Sequence, residues 1–129
     1  MNVLVDTSVF IRKFRSQGQS RELLDELATG GDTLYVSTIT VFELLAGTSK
    51  SVRNPNRQLL SDTIVLDVNE LIAERAVVMH DQLQRDRFRL HVADALIAAT
   101  SLSYDLPLAT LNTRHFERVP GLRLYAPPP

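Results

Sequence analysis

Cysteine is absent from the 129 residues, which removes disulfides, thiol chemistry and cysteine-based zinc sites, and is compatible with a reducing compartment. The three histidines, His80, His91 and His115, show no metal-ligand spacing. Charge of one sign is lacking too: 14 Lys and Arg against 15 Asp and Glu leave a formal net charge of -1. No global basic field announces a nucleic-acid partner, so any such partner has to be held locally. The apolar run near the start is only Val3 to Val5, without a basic lead-in. With no long apolar stretch anywhere, neither a secretory signal nor a membrane span is expected, and the chain is read as a cytoplasmic protein with no membrane partner. Neither an internal repeat nor a linker divides it. Residues 1–126 are expected to form one domain, with the three closing prolines, 127–129, as a tail.

What is present begins at Val3-Leu4-Val5-Asp6-Thr7-Ser8. Three bulky apolar residues without alternation suit a strand covered on both faces, as in a parallel sheet between helices. Ligands of such sheets sit beyond the carboxyl ends of the strands, which puts Asp6 at the active edge and leaves Thr7 and Ser8 to cap the next helix. Asp before Thr-Ser is equally a helix N-cap.

Helices and strands then alternate. Thr7 to Phe14 carries a helical stripe (Val9, Phe10, Ile11, Phe14), and a turn is expected at Gln17-Gly18. Ser20 to Leu27 reads as a second helix closed by Gly30-Gly31, and Thr33 to Val36 as a strand. Ser37 to Gly47 looks helical through Ile39, Phe42, Leu45 and Ala46. Thr48 to Asn56 reads as a mobile basic connection. Ile64 to Leu66 is a third strand. Asn69 to Arg87 is the longest helix, with Ile72, Ala76, Met79 and Leu83 on a stripe read as core. Val92 to Tyr104 is a helix whose middle is apolar all round and therefore buried. Pro107 to Thr110 is a fourth strand, Thr113 to Arg118 a short turn or helix, and Leu122 to Tyr125 a last strand. This order predicts an α/β fold: a three-layer α/β/α sandwich around a mostly parallel central sheet.

Asp6, Glu43 and Asp94 are far apart in sequence but share a position type, at a strand end or near a helix start, and can converge on one edge. Carboxylate oxygens suit Mg²⁺ or Mn²⁺, with water and substrate phosphate completing the shell, and such an ion activates water for phosphodiester cleavage. Each acid also has a structural use: Thr40 and Glu43 match a capping box, and Asp94 can complement a helix dipole. Those uses leave unexplained why Glu43 and Asp94 are the sole acids of two strongly apolar helices, where a lone carboxylate is costly to desolvate. A shared cation would resolve it.

Four blocks of residues then carry a resemblance: Val-Asp-Thr-Ser-Val-Phe-Ile at 5–11, Ser-Thr-Ile-Thr-Val-Phe-Glu-Leu-Leu-Ala-Gly ending at Gly47, Ala-Asp-Ala-Leu-Ile-Ala-Ala-Thr at 93–100, and Leu-Ala-Thr-Leu-Asn-Thr-Arg-His-Phe at 108–116. In order and spacing the chain resembles PIN-domain proteins, and more narrowly VapC-type toxins. The resemblance implies a metal-dependent ribonuclease that leaves a 5′-phosphate and a 3′-hydroxyl. It also implies a homodimer, silenced in a hetero-oligomer by a VapB-type antitoxin that inserts an arginine among the carboxylates. Asp6, Glu43 and Asp94 match the family's metal-binding acids, and Thr7 or Ser8 and Thr110 its supporting hydroxyls. The fourth acidic position, Asp in many relatives, matches Asn112 here, so one ion is expected more firmly than two.

Basic groups at Arg12 to Arg15, Lys50 to Arg57, Arg85 to Arg89 and Arg114 to Arg118 could flank the acids and grip RNA phosphates, with Arg12, Lys50, Arg53, Arg85, Arg87 and Arg114 as candidates. A solvated surface is the competing account of these charges. His115 and Phe116 are read as packing a turn, without a catalytic part. The alternative function is a catalytically weak PIN-like interaction module, for which Asn112 is the support. Phosphate chemistry through an aspartyl intermediate would want a second Asp where Ser8 stands.

Overall fold

A computed structural model of the chain describes residues 1–15, 19–46 and 50–126, with the side chains of 12–15, 19–22, 50–52 and 54 outside the description. The expected turn at Gln17-Gly18, the helix stop at Gly47 and the proline tail at 127–129 lie outside the described residues.

Strand β1 (Asn2–Val5) is followed by α1 (Thr7–Arg15) and α2 (Gln19–Thr29), then β2 (Thr33–Ser37), α3 (Thr38–Ala46) and α4 (Lys50–Ser61). Next come β3 (Ile64–Leu66), α5 (Glu70–Arg85), α6 (Val92–Tyr104), β4 (Leu108–Ala109) and α7 (Thr113–Phe116). The four strands pair in parallel in the order β3-β2-β1-β4. Val3, Leu4 and Val5 are all fully buried, as a central strand covered on both faces requires. Alternation then sorts them: Val3 and Val5 join the cluster of Val9, Phe10, Leu24, Leu27, Leu44 and Leu60, from α1 to α4. Leu4 joins Ile72, Met79, Leu83, Ile97 and Phe116, from α5 to α7. Helices thus cover both faces, the three-layer α/β/α sandwich expected from the order of elements. Truncating Leu4 to Ala would cost about 2–5 kcal/mol, since a fully buried leucine leaves a cavity the sheet cannot close.

The chain steps from β1 outward to β2 and β3, then returns across the sheet to place β4 on the other side of β1. The direction of travel therefore reverses at β1, and the crevice beyond the carboxyl ends of β1 and β4 is where such a sheet takes ligands. Asp6 ends one wall and Thr110 the other.

Three expectations are corrected. The stretch read as a mobile connection is helical from Lys50 onward despite an internal Pro55. Buried Asn56 anchors that helix by donating from Nδ2 to the Leu44 carbonyl in the last turn of α3 at 2.9 Å. Leu122 to Tyr125 forms only an isolated bridge, Leu124 to Leu108. In α3 the buried side chains are Thr40 and Leu44, whereas Phe42, placed in the expected stripe, is 70% exposed. Ile72, Ala76, Met79 and Leu83 form the buried face of α5 as read.

Candidate active site

Beyond the end of β1, Asp6 is 3% exposed, and its side chain caps nothing. Its Oδ2 accepts from Ser8 Oγ at 2.8 Å and from Thr110 Oγ1 at 2.7 Å. Each hydroxyl has one proton, so both are spent on the carboxylate and the 3.4 Å approach between Ser8 and Thr110 is a contact rather than a third bond. The two hydroxyl oxygens in turn accept from the backbone, Ser8 from Leu111 N at 3.1 Å and Thr110 from Asn112 N at 3.0 Å. Two parallel relays, each N–H to O–H to carboxylate, thus tie the loop after β4 to Asp6. Oδ1 receives no hydrogen bond from a described residue and remains for a ligand.

Thr7 performs the matching service for Glu43. Its hydroxyl donates to Glu43 Oε1 at 2.8 Å, so the 2.8 Å contact with Thr40 Oγ1 has Thr40 as donor. The capping-box use of Thr40 and Glu43 is overturned: α3 starts at Thr38, and Ser37 Oγ accepts from Ile39 N at 3.1 Å in the capping role. Thr40 is then a buried residue one turn inside the helix, free to support Thr7. Nor do Thr7 and Ser8 cap α1 through their hydroxyls, as the sequence suggested; they hold two carboxylates.

Asp94 lies in the first turn of α6, after His91 as N-cap. Its Oδ2 is 3.2 Å from His115 Nδ1, which makes Nδ1–H the tautomer the bond needs. Burial, then the charge of Asp6, hold the Asp94 carboxyl above its ordinary pKa, while the bond and charge of His115 and the charge of His91 pull it back. His115 was the residue the sequence reading passed over, because a partner 21 positions away leaves no spacing signal; Phe116 beside it is fully buried, as expected.

Two hydrogen-bonded sets therefore form, Asp6 with Ser8 and Thr110, and Glu43 with Thr7 and Thr40, while Asp94 is coupled to Asp6 through charge. Asn112 joins by its backbone, and its side chain caps nothing in α7. Among the described residues no three Asp, Glu or His side chains gather closely enough to cage an ion. All the available donors are oxygens, and two coupled carboxylates with an incomplete shell suit a hard cation that keeps waters and takes substrate oxygens.

Of the basic candidates, Arg85, Arg87 and Arg114 are exposed. Arg53 is half-buried, with Nε sealed and without a hydrogen-bond partner among the described residues. The side chains of Arg12 and Lys50 lie outside the description. No described helix is long and apolar enough to cross a membrane.

With this geometry in place, comparison with known proteins is direct. The family model described as PIN domain matches residues 3–122. Ribonuclease VapC of Rickettsia bellii is 31% identical over 137 aligned positions, covering 99% of this chain and 98% of that protein. Ribonuclease VapC10 of Mycobacterium tuberculosis is 36% identical over 114, covering 88% and 85%. Among solved structures, DNA-bound VapBC from Salmonella typhimurium superposes with a TM-score of 0.81 at 26% identity, over 97% of both chains. A toxin-antitoxin complex from Klebsiella pneumoniae gives 0.74 at 28%, over 98% of both.

Proposed function

The chain belongs to the PIN-domain family, with proteins named ribonuclease VapC as its relatives, and from that premise we propose that it is a metal-dependent endoribonuclease toxin. Its partner is a VapB-type antitoxin, bound in a hetero-oligomer of the kind solved for its relatives, and its place of action is the cytoplasm. The observation that carries the enzymatic reading is the pair Asp6 and Asp94: two acids from different elements, at the switch point of the sheet, whose charges oppose each other.

Asp6 and Asp94 would hold Mg²⁺ or Mn²⁺, with Glu43 and the Asn112 amide oxygen as further donors. Such an ion supplies an activated water and offsets charge on the phosphoryl oxygens. The chain's own residues prepare the site for it. Ser8 and Thr110 fix Asp6 through Oδ2, so that Oδ1 is presented; Thr7 fixes Glu43; His115 fixes Asp94. Fixed ligands matter because an active site whose acids swing freely spends part of its ion's binding energy on ordering them.

The test is RNA cleavage by the purified chain with added Mn²⁺ beside Asp6→Asn. Cleavage that the amide removes supports the reading. Metal-stimulated cleavage that survives in Asp6→Asn takes Asp6 out of the site, and no cleavage by either protein would favour the interaction module instead.

A further inference from the structure

Helix α5 ends in a way that its own backbone does not favour. Arg87 N donates to the Gln84 carbonyl and Phe88 N to that of Leu83, both at 2.9 Å, the paired bonds of a Schellman ending. The residue at the turn is Arg87 at φ 60°, a left-handed position where glycine or asparagine sits without strain and a long side chain does not. The fold would be served better by glycine, so the arginine has to be accounted for by its side chain. That side chain is exposed and makes no ion pair with a described residue.

Arg87 lines a concavity of about 440 Å³ with His80, Gln84, Phe88 and Arg89. No carboxylate lines it: the polar groups are two guanidiniums, an amide and an imidazole, and the Phe88 ring forms the remaining wall. Asp81 is turned to His80, 3.3 Å from its Nδ1. A third guanidinium, Arg118, lies over the Phe88 ring at 5.0 Å, and ties this wall to the end of α7. The concavity is thus bracketed by two segments that lead straight to the acids, 88–94 into Asp94 and 115–118 from His115. The two guanidiniums, forked and planar, match phosphate oxygens.

We infer that this concavity is a second RNA subsite, holding a backbone phosphate of the single strand outside the carboxylate pocket through Arg87 and Arg89. The inference rests on the ribonuclease reading and adds to it the strand's exit or entry path. Arg87 keeps its strained place because a guanidinium there is worth more in RNA binding than glycine would be in the fold.

The experiment measures binding of a short labelled single-stranded RNA in chelator, so that nothing is cut, to the full chain and to Arg87→Gly, Arg89→Ala and Arg75→Ala. Arg75 lies toward the other end of α5, beside Ser103, and controls for net charge. Arg87→Gly and Arg89→Ala should each weaken binding about tenfold, equivalent to roughly 1.4 kcal/mol, and flatten the salt dependence by about one contact. Arg75→Ala should not, and Arg87→Gly should melt no lower than the wild-type chain. Equal losses in all three variants would mean a diffuse charge effect, and unchanged affinity in Arg87→Gly would empty the subsite; either result overturns the inference. Mn²⁺-dependent cleavage by the wild-type chain, run in parallel, keeps the two readings apart. Cleavage with unchanged binding sinks the subsite alone, whereas absent cleavage sinks the ribonuclease reading.

Discussion

His115 Nδ1 lies 3.2 Å from Asp94 Oδ2, and that contact holds the acid of α6 against the short helix that follows β4. Partners of ligating carboxylates matter to the metal, and their removal typically costs about 10–100-fold in affinity or activity. His115→Ala should therefore weaken Mn²⁺ binding by about tenfold or more, read by calorimetry without RNA. His115→Asn, whose amide can donate from nearly the Nδ1 position, should recover part of it. Equal binding by all three proteins would reduce the contact to surface decoration.

The Asp94 carboxyl is held above its ordinary pKa by burial and by Asp6, so the fold binds its proton more tightly than the unfolded chain does. Its contribution to stability is present below the ordinary carboxylate pKa and is lost as pH rises through the raised folded value. In chelator, Asp94→Asn should melt higher than wild type at neutral pH, and the gain should shrink on acidification. A variant melting lower at neutral pH would show that the bond to His115 outweighs the repulsion.

Thr110→Val keeps shape and removes one of the two protons on Asp6 Oδ2, together with the acceptor for Asn112 N. Leaving buried groups without partners costs roughly 1–3 kcal/mol. A melting-temperature drop of several degrees should accompany a loss of cleavage, with Thr110→Ser recovering both. Unchanged melting and cleavage in the valine variant would separate the loop from Asp6.

The Asn112 backbone donates to Thr110 Oγ1 and its side chain makes no cap bond in α7, so under the proposed reading a carboxylate there would add a charge to the pocket. Asn112→Asp should tighten metal binding in the absence of RNA and leave cleavage unchanged or faster. Asn112→Ala should cost less than Asp6→Asn, because water can replace a neutral ligand. A calorimetric titration insensitive to the aspartate would mean that residue 112 faces away from the ion.

Much of this arrangement could be read in the residues. Val3 to Val5 announced a doubly covered strand because buried parallel strands lack alternation, and of the three acids expected on one edge Asp94 is coupled to Asp6 through charge, whereas no three acids gather among the described residues. Local pattern failed where tertiary partners decide. Helix α4 was hidden because Pro55 and its polar neighbours look like a loop, whereas in the fold Asn56 is buried and bonded to the Leu44 carbonyl and Leu60 enters the core. Thr40 and Glu43 imitate a capping box, yet Ser37 takes that part and releases both to the site. His115 was invisible for a different reason: nothing local marks a histidine whose partner enters from another helix. Arg87 was among the basic candidates, but its left-handed backbone at φ 60° could not be read from the residues.

The most direct test of the account is the chemistry of the ends left on RNA. The purified chain, stripped with chelator and given Mn²⁺, should yield fragments with 5′-phosphate and 3′-hydroxyl, the outcome expected if Asp6 and Asp94 hold the ion that supplies an activated water. The yield should fall by roughly hundredfold or more in Asp94→Asn, equivalent to about 2.7 kcal/mol of transition-state stabilisation. Fragments ending in a 2′,3′-cyclic phosphate, formed equally well in chelator and by Asp94→Asn, would contradict it.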